Sequence, residues 1–400
     1  MSGLRIAASL FRAPQIGPFL IGRTMAATAS WMERLALGWL MWEATGSAAM
    51  VGGLAFVRLA PSLVLGPWGG VLADRRGSVL VLAACYAASV PLAVAAMMLA
   101  MFGILGPEVL LALGAASGAL QSIANGPMKS AVSDVTPRAH LATAVPVASV
   151  TFNLAAFVGP AIAGGLIAAI GAAPVFLLAA IGFLAFVLVL MRLPRAARVP
   201  SPRQGTVLAF SEAGRHALRH PVIGPLFLLH VSFSVLMRPI VEVLPAVSGQ
   251  LFGGGASTMG LLTASSGLGA FAGSLWLTWR SDRPGLRLRV LGAALAACCA
   301  ALAVGASEHA PQAAIAFAAL GGALVVRAAG ANTIIQLLVE DHFRGRVMAM
   351  WGTILRIGAG LGGLFLGILA DSVGMRPAIL LAAVFALLST MVLARRIRDQ

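Results

Sequence analysis

Apolar runs of about 18 residues or more recur along almost the whole chain, separated by short turn-forming intervals, and such runs are longer than the core helix of a soluble domain requires. They lack the strict alternation of a barrel strand, so the pattern predicts membrane-spanning helices. Twelve spans follow: 17–43, 47–72, 78–102, 107–129, 141–169, 173–193, 220–247, 256–279, 288–306, 311–336, 344–371 and 375–394. The intervals are built from turn residues: Thr45-Gly46-Ser47, Gly103 to Pro107, Gly171, Gly253-Gly254-Gly255, Ala306 to Pro311, and Gly374. Only Leu193 to His220 is long and polar; it carries Arg195, Arg198, Arg203, Arg215, Arg219 and three prolines. The expected organisation is therefore a first six-helix bundle over 1–193, a linker over 194–219 and a second bundle over 220–400.

The halves repeat. Gly66 to Gly77 ends a span in small residues and then breaks into Asp74, Arg75, Arg76 and Gly77; Asp282, Arg283 and Gly285 follow the positions of Asp74, Arg75 and Gly77 at one offset. Asn125, Val132 and Asp134 return as Asn332, Val339 and Asp341, 207 residues on. Gly171, Pro174, Leu177 and Ala180 return as Gly374, Pro377, Leu380 and Ala383 after a short slip. Duplication of an even number of spans gives parallel repeats about an axis along the membrane normal, with a substrate site between the halves near the midplane.

Composition agrees: 60% of the residues are hydrophobic and 10% charged, against about 25% charged in a soluble domain. The net charge of +15 changes the picture only through its distribution. With both termini cytoplasmic, the inner loops collect Arg5, Arg12, Arg75, Arg76, Arg138, the linker arginines, Arg280, Arg283, Arg287, Arg289, Arg344, Arg346, Arg395, Arg396 and Arg398, while the outer loops hold essentially Arg376. That asymmetry is the positive-inside pattern, and basic loops facing an anionic leaflet account for the charge without nucleic acid. Cys85, Cys298 and Cys299 fall inside apolar runs, which suits neither a disulfide framework nor a metal site. The first span has no cleavable-leader pattern and is expected to stay in the chain.

These features are similar to those of the major facilitator superfamily along nearly the whole chain. Gly70-Val71-Leu72-Ala73-Asp74-Arg75-Arg76-Gly77 resembles the family's loop motif between helices two and three, although Ser78 and Val79 stand where basic residues usually follow. Phe152 to Gly165, with Gly159, Pro160 and Gly164, resembles the glycine–proline motif of helix five associated with antiporters, with one extra residue after Pro160. Ser30-Trp31 to Trp39-Leu40 and Arg238-Pro239 to Glu242-Val243-Leu244-Pro245 resemble a subgroup of bacterial siderophore and drug exporters. The resemblance implies an all-α fold of twelve transmembrane helices in two six-helix bundles related by a pseudo-twofold axis. It also implies alternating access, with Gly70, Asp74, Arg75, Gly77, Asp282 and Arg283 as a cytoplasmic gate and Gly159, Pro160 and Gly164 as a pliable part of helix five.

Charges inside spans are the sharper chemical signal, because each costs roughly 2.5–3.5 kcal/mol on insertion scales and usually faces a cavity or partner. The central candidates are Glu33, Arg34, Arg58, Arg238, Glu242, Arg327 and Arg356: five arginines against two glutamates, which leaves a cavity positive. Arg23, Ser30 and Arg34 share a helical stripe, as do Ser234, Arg238 and Glu242, and Ser117, Gln121 and Asn125. In the duplication Arg34 stands approximately opposite Glu242, so a bridge between them can hold the halves together. A carboxylate whose arginine partner changes between states is a proton switch; Glu242 is the first candidate and Glu33 the second. His230 lies off the Arg238 stripe and reads as packing.

No phosphate loop, hydrolase triad or metal cluster is present, so neither an enzyme nor a cofactor is expected. The expected protein is a multi-pass, monomeric transporter of a bacterial inner membrane. It exports a small amphipathic or anionic organic compound, drug- or siderophore-like by resemblance, in exchange for protons. Proton-coupled uptake of an organic anion, lysophospholipid transport and a non-transporting membrane sensor are the alternatives.

Overall fold

A computed structural model describes residues 10–137, 140–193, 214–279 and 285–398. Asp282 and Arg283 of the repeated loop lie outside the described residues, as do Arg5, Arg138, Arg195, Arg198, Arg203 and Arg280. The helices are α1 (Ile16–Thr45), α2 (Ala48–Leu59), α3 (Ser62–Arg76), α4 (Ser78–Met101), α5 (Pro107–Asp134), α6 (Leu141–Ile170), α7 (Ala173–Arg192), α8 (Ile223–Leu236), α9 (Arg238–Glu242), α10 (Leu244–Phe252), α11 (Ala256–Trp279), α12 (Leu286–Ala306), α13 (Ala310–Leu338), α14 (Asp341–Val373) and α15 (Met375–Arg398).

Among the described residues, eleven helical stretches are long and apolar enough to cross a membrane. The first helix is not one of them, because Arg23, Glu33, Arg34 and Glu43 interrupt it. Its 30 residues nevertheless extend about 45 Å at the α-helical rise of about 1.5 Å per residue, and it packs along α6 and α7. The arrangement is consistent with twelve spans.

Two spans are broken where an unbroken helix was expected. Span two divides at Ala60-Pro61 into α2 and α3, and span seven into α8, α9 and α10, with Pro239 and Pro245 each at the start of a new piece. Proline has no amide hydrogen and its ring crowds the preceding turn, which favours a fresh start at each of these points. Helix α6 runs through Pro146 and Pro160 without a break.

The repeat is visible in the backbone. Gly46 and Gly253 have φ of 59° and 55°, Gly77 and Gly285 of 88° and 83°, Gly171 and Gly374 of 87° and 93°. Positive φ thus recurs at three equivalent points of the two halves, although ψ differs between Gly77 and Gly285, at 140° and 8°, and glycine is the residue that adopts positive φ without a Cβ clash.

Packing differs between the two ends of the bundle. Toward the end holding Gly77 and Gly285 the core is two separate clusters. One lies within the first half, around Phe19, Tyr86, Phe183 and Phe186, and one within the second, around Phe227, Ile335 and Trp351. Toward the opposite end one cluster runs through both halves, from Leu37, Met41 and Leu54 to Phe233, Leu244, Phe317 and Leu366. The halves are fused at one end and parted at the other. Large apolar side chains such as Val64, Trp68, Trp279, Phe365 and Val392 remain exposed on the flanks, where a soluble protein would place polar groups and a bilayer accepts them.

Candidate functional site between the halves

The fused end is sealed by backbone lying on backbone. Gly52 of α2 meets the chain at Gly363 of α14, and Gly367 meets Ala48. On the other flank Gly164 of α6 faces Gly260 of α11, and Gly267 faces Ala156. Any side chain at these positions would force the helices apart, which is why small residues permit so close an approach. A polar clasp lies beside the first contact. Asp371, near the end of α14, accepts hydrogen bonds from Ser47 Oγ at 2.6 Å, Ala48 N at 2.8 Å, Ala49 N at 2.9 Å and Gln250 Nε2 at 3.4 Å. A carboxylate of the second half thereby satisfies the free amides at the N-terminus of α2, where the helix dipole favours negative charge.

Halfway down the interface the charges form two groups. Glu242, its side chain 4% exposed, receives Arg238 Nε at 3.2 Å from its own helix α9 and Arg34 Nη2 from α1 of the other half. Arg34 also lies 4.8 Å from the ring centre of Trp31. The second group is within the first half: Arg58 Nη2 reaches the carbonyl of Ser30 at 3.4 Å, Gln121 Nε2 donates to Ser30 Oγ at 2.7 Å, and buried Glu33 lies in the field of Arg58. Each carboxylate therefore has arginine beside it, and the one at the interface is shared between the halves.

A cavity opens next to this group. Its walls include Trp31, Phe152 and Asn153 from the first half and Phe233, Arg238, Thr263, Ser266 and Arg327 from the second. Arg327 is 2% exposed and its guanidinium sits 4.5 Å from the ring centre of Phe233. His230, fully buried, stacks on Trp351 at 3.5 Å and bonds that residue's carbonyl through Nε2 at 3.0 Å.

The remaining expected residues are distributed as follows. Arg23 does not join Arg34 but donates to the carbonyl of Ala148 on α6. Ser234 turns to the carbonyl of His230 and Ser117 to that of Gly114. Asn125 lies one turn beyond Gln121 on α5. Arg356 stands on α14 within electrostatic reach of Lys129 on α5, the chain's only lysine. In the loop motif, Gly69 lies against the backbone of Ile123 and Gly126 comes close to Gly70, while Gly66 has no neighbour that a side chain would meet. Ser78, where the family usually has a basic residue, donates to Asp134. Gly159 packs on Thr28 and Trp31, and Gly165 has open space.

Lys129 and Asp371 escaped the sequence reading, in which Ser47 is only a turn residue. Ser47 carried a signal, since a serine before an apolar run marks a helix start, but nothing local showed that its partner lies 324 positions away.

The chain matches the transmembrane secretion effector family over residues 10–399. It is 29% identical over 339 residues to the enterobactin exporter EntS of Salmonella paratyphi A (strain ATCC 9150 / SARB42), covering 82% of this chain and 77% of that protein. The corresponding protein of Escherichia coli O127:H6 (strain E2348/69 / EPEC) is 28% identical over 341 residues, covering 82% and 76%. Among solved structures it is similar to a bacterial homologue of the human lysosomal transporter Spinster in an inward-facing, unoccupied conformation, with TM-score 0.75, 16% identity and coverage of 97% and 98%. The nucleoside transporter NupG gives TM-score 0.66 at 13% identity, covering 96% and 99%. Fold, repeat and family match agree: the chain is a multi-pass membrane transporter, not an enzyme, and belongs to the transmembrane secretion effector family of the major facilitator superfamily.

Proposed function

We propose that this transporter exports a small amphipathic or anionic organic compound across a bacterial inner membrane in exchange for protons. The halves, 1–193 and 220–400, rock about the interface, the segment 194–219 joins them on the cytoplasmic side, and both termini are cytoplasmic. The arginine-rich parted end faces the cytoplasm, so the conformation described is the one that loads substrate from inside. The export function of the EntS proteins supports the direction, and the positive lining of the cavity supports the charge preference.

The observation that carries the reading is Glu242, buried at the interface and held by one arginine from each half. While ionised it ties Arg34 to Arg238 and keeps the outer side shut. The negative charge of a substrate entering from the cytoplasm competes for those arginines and loosens Arg34 from Glu242, so the halves can part on the outer side. There Glu242, deprived of its arginine partners, takes a proton from the outside, and the substrate leaves. The outer side closes with Glu242 protonated; once the cavity opens to the cytoplasm both arginines again favour the ionised carboxylate, and its proton departs inward. The proton moves inward as the anion moves outward.

Substrate-dependent proton movement in proteoliposomes tests this. Candidate compounds come from comparing the medium metabolites of deletion and overexpressing strains. Transport without proton movement, or unchanged coupling in Glu242→Gln, overturns the coupling. Accumulation rather than loss in energised cells overturns the direction.

A further inference from the structure

Arg327 differs from Arg34, Arg58 and Arg238. Arg34 and Arg238 share Glu242, and Arg58 has Glu33 in its field. Among the described residues no carboxylate bonds Arg327, and its Nε and Nη1 have no hydrogen-bond partner although both are buried. Neighbouring groups do not supply one. Phe233 covers the guanidinium face, Cys298 and His230 are within electrostatic reach, and His230 Nδ1 is also without a partner. A buried guanidinium with two idle donors carries a large desolvation cost, which an anion offsets further than a neutral group does. The residue lines the cavity between the halves.

The guanidinium is a planar fork: Nε–H runs parallel to one N–H of Nη2 along its edge, and Nη1 and Nη2 form its end, so the idle donors Nε and Nη1 belong to two different faces of the fork. Paired N–H groups in a fixed plane match a group that presents two oxygens, such as a carboxylate or sulfonate. A point anion or a single hydroxyl satisfies one N–H of such a pair. The opposite wall is aromatic: Trp31 and Phe152 stand 6.3 Å apart with their planes inclined at 54°, and both line the cavity. The head of such a ligand would lie on the second half and its body on the first.

We propose that the guanidinium of Arg327 is the head-group subsite of this cavity, taking a carboxylate or equivalent two-oxygen anion whose apolar or aromatic body rests against Trp31 and Phe152. This deepens the reading of the cavity as a transport site by assigning the residue that distinguishes an acid from its neutral analogue. Because the ligand touches both halves, it is held most tightly when they are correctly spaced.

Equilibrium dialysis of the purified full-length protein with 1-naphthoate and 1-naphthamide tests the assignment. Wild type should bind the acid roughly tenfold more tightly than the amide, the worth of about one charge-assisted bond. Arg327→Gln should bring that ratio near one while keeping amide affinity. Arg327→Lys, which keeps the charge and loses the planar fork, should give an intermediate ratio and serves also if the glutamine variant fails to fold. Ala270→Met, which fills the cavity without altering a charge, should weaken both probes together. No binding of 1-naphthoate to wild type, or an undiminished acid preference in either Arg327 variant, overturns the proposal. Competition by lysophosphatidylglycerol would identify the natural head as a lipid's, and its absence would identify a soluble acid; either upholds Arg327 as its reader. The ratio is read without a gradient, so a failure of proton coupling or export direction leaves it standing, and a failed ratio leaves those standing.

Discussion

Asp371 Oδ2 accepts the hydroxyl proton of Ser47 at 2.6 Å, and the two residues belong to opposite halves of the molecule. The carboxylate also takes the amides of Ala48 and Ala49, so it does for α2 what a residue of the same helix normally does at its start. The cap is available only while the halves are together at this end, which makes it a clasp.

Removing the clasp should move the conformational balance. A helix N-terminal cap is worth about 0.5–2 kcal/mol, so Asp371→Ala should raise the outward-open population roughly 2- to 30-fold. Distance measurements between spin labels on the exposed ends of α2 and α14 will read this. Ser47→Ala should shift it less, because the two amide bonds remain. An unchanged distance distribution in Asp371→Ala refutes the clasp.

Replacing Glu242 by glutamine should abolish proton coupling while the protein still folds. Breaking a buried pair from one side costs about 3–5 kcal/mol, whereas replacing all the charges with apolar groups is often neutral. Arg34→Met combined with Arg238→Met and Glu242→Met should therefore melt close to wild type and still fail to transport. Thermal unfolding and proteoliposome assays together separate the two effects.

Side chains introduced at the sealing contacts should block closure. Gly164→Leu and Gly52→Val must push Gly260 and Gly363 away, and both should hold the outer side open and lower transport. Gly165→Ala and Gly66→Ala, which meet open space, should leave it within about twofold of wild type, since a helical Gly→Ala exchange changes stability by only about 1 kcal/mol. Cysteine accessibility from outside will show which variants fail to close.

Outside the membrane, His220 gives a pH prediction. Its Nδ1 faces the amides of Val222 and Ile223 at 3.2 and 3.3 Å, at the start of α8. Burial, then the nearby His216 and Arg287, holds it below the ordinary value of 6.5. The neutral ring is the one that can accept these bonds. With the folded pKa below the unfolded one, the contribution is fully present above 6.5 and is lost as pH falls from there toward the folded value. Thermal stability should decline over that window in wild type, and His220→Asn, an acceptor that does not titrate, should flatten the decline.

The fold was readable because a bilayer imposes it. Length and apolarity of the runs set the spans, and the repeats of Gly77 at Gly285 and of Gly171 at Gly374 pointed to two halves before their shared positive φ was seen. The approach of Arg34 to Glu242 could be anticipated from the same alignment. What stayed hidden were relationships that depend on the crossing of helices distant in sequence. Asp371 looks like an ordinary end-of-span acid until α14 is laid beside α2. The break of span seven around Arg238 was half visible in Pro239 and Pro245, but proline alone does not distinguish a break from the continuous passage of α6 through Pro160. The idle donors of Arg327 could not be read at all, since they are defined by the partners they lack.

Gly52 on Gly363 and Gly164 on Gly260 sit on two separate flanks of the interface. Neither contact has interlocking side chains, so the halves meet there as smooth surfaces rather than as meshed teeth. If the halves part at this end, as proposed, such surfaces separate and rejoin with little friction. The charges would then set the rate of that movement, and a change of substrate need not alter the seal.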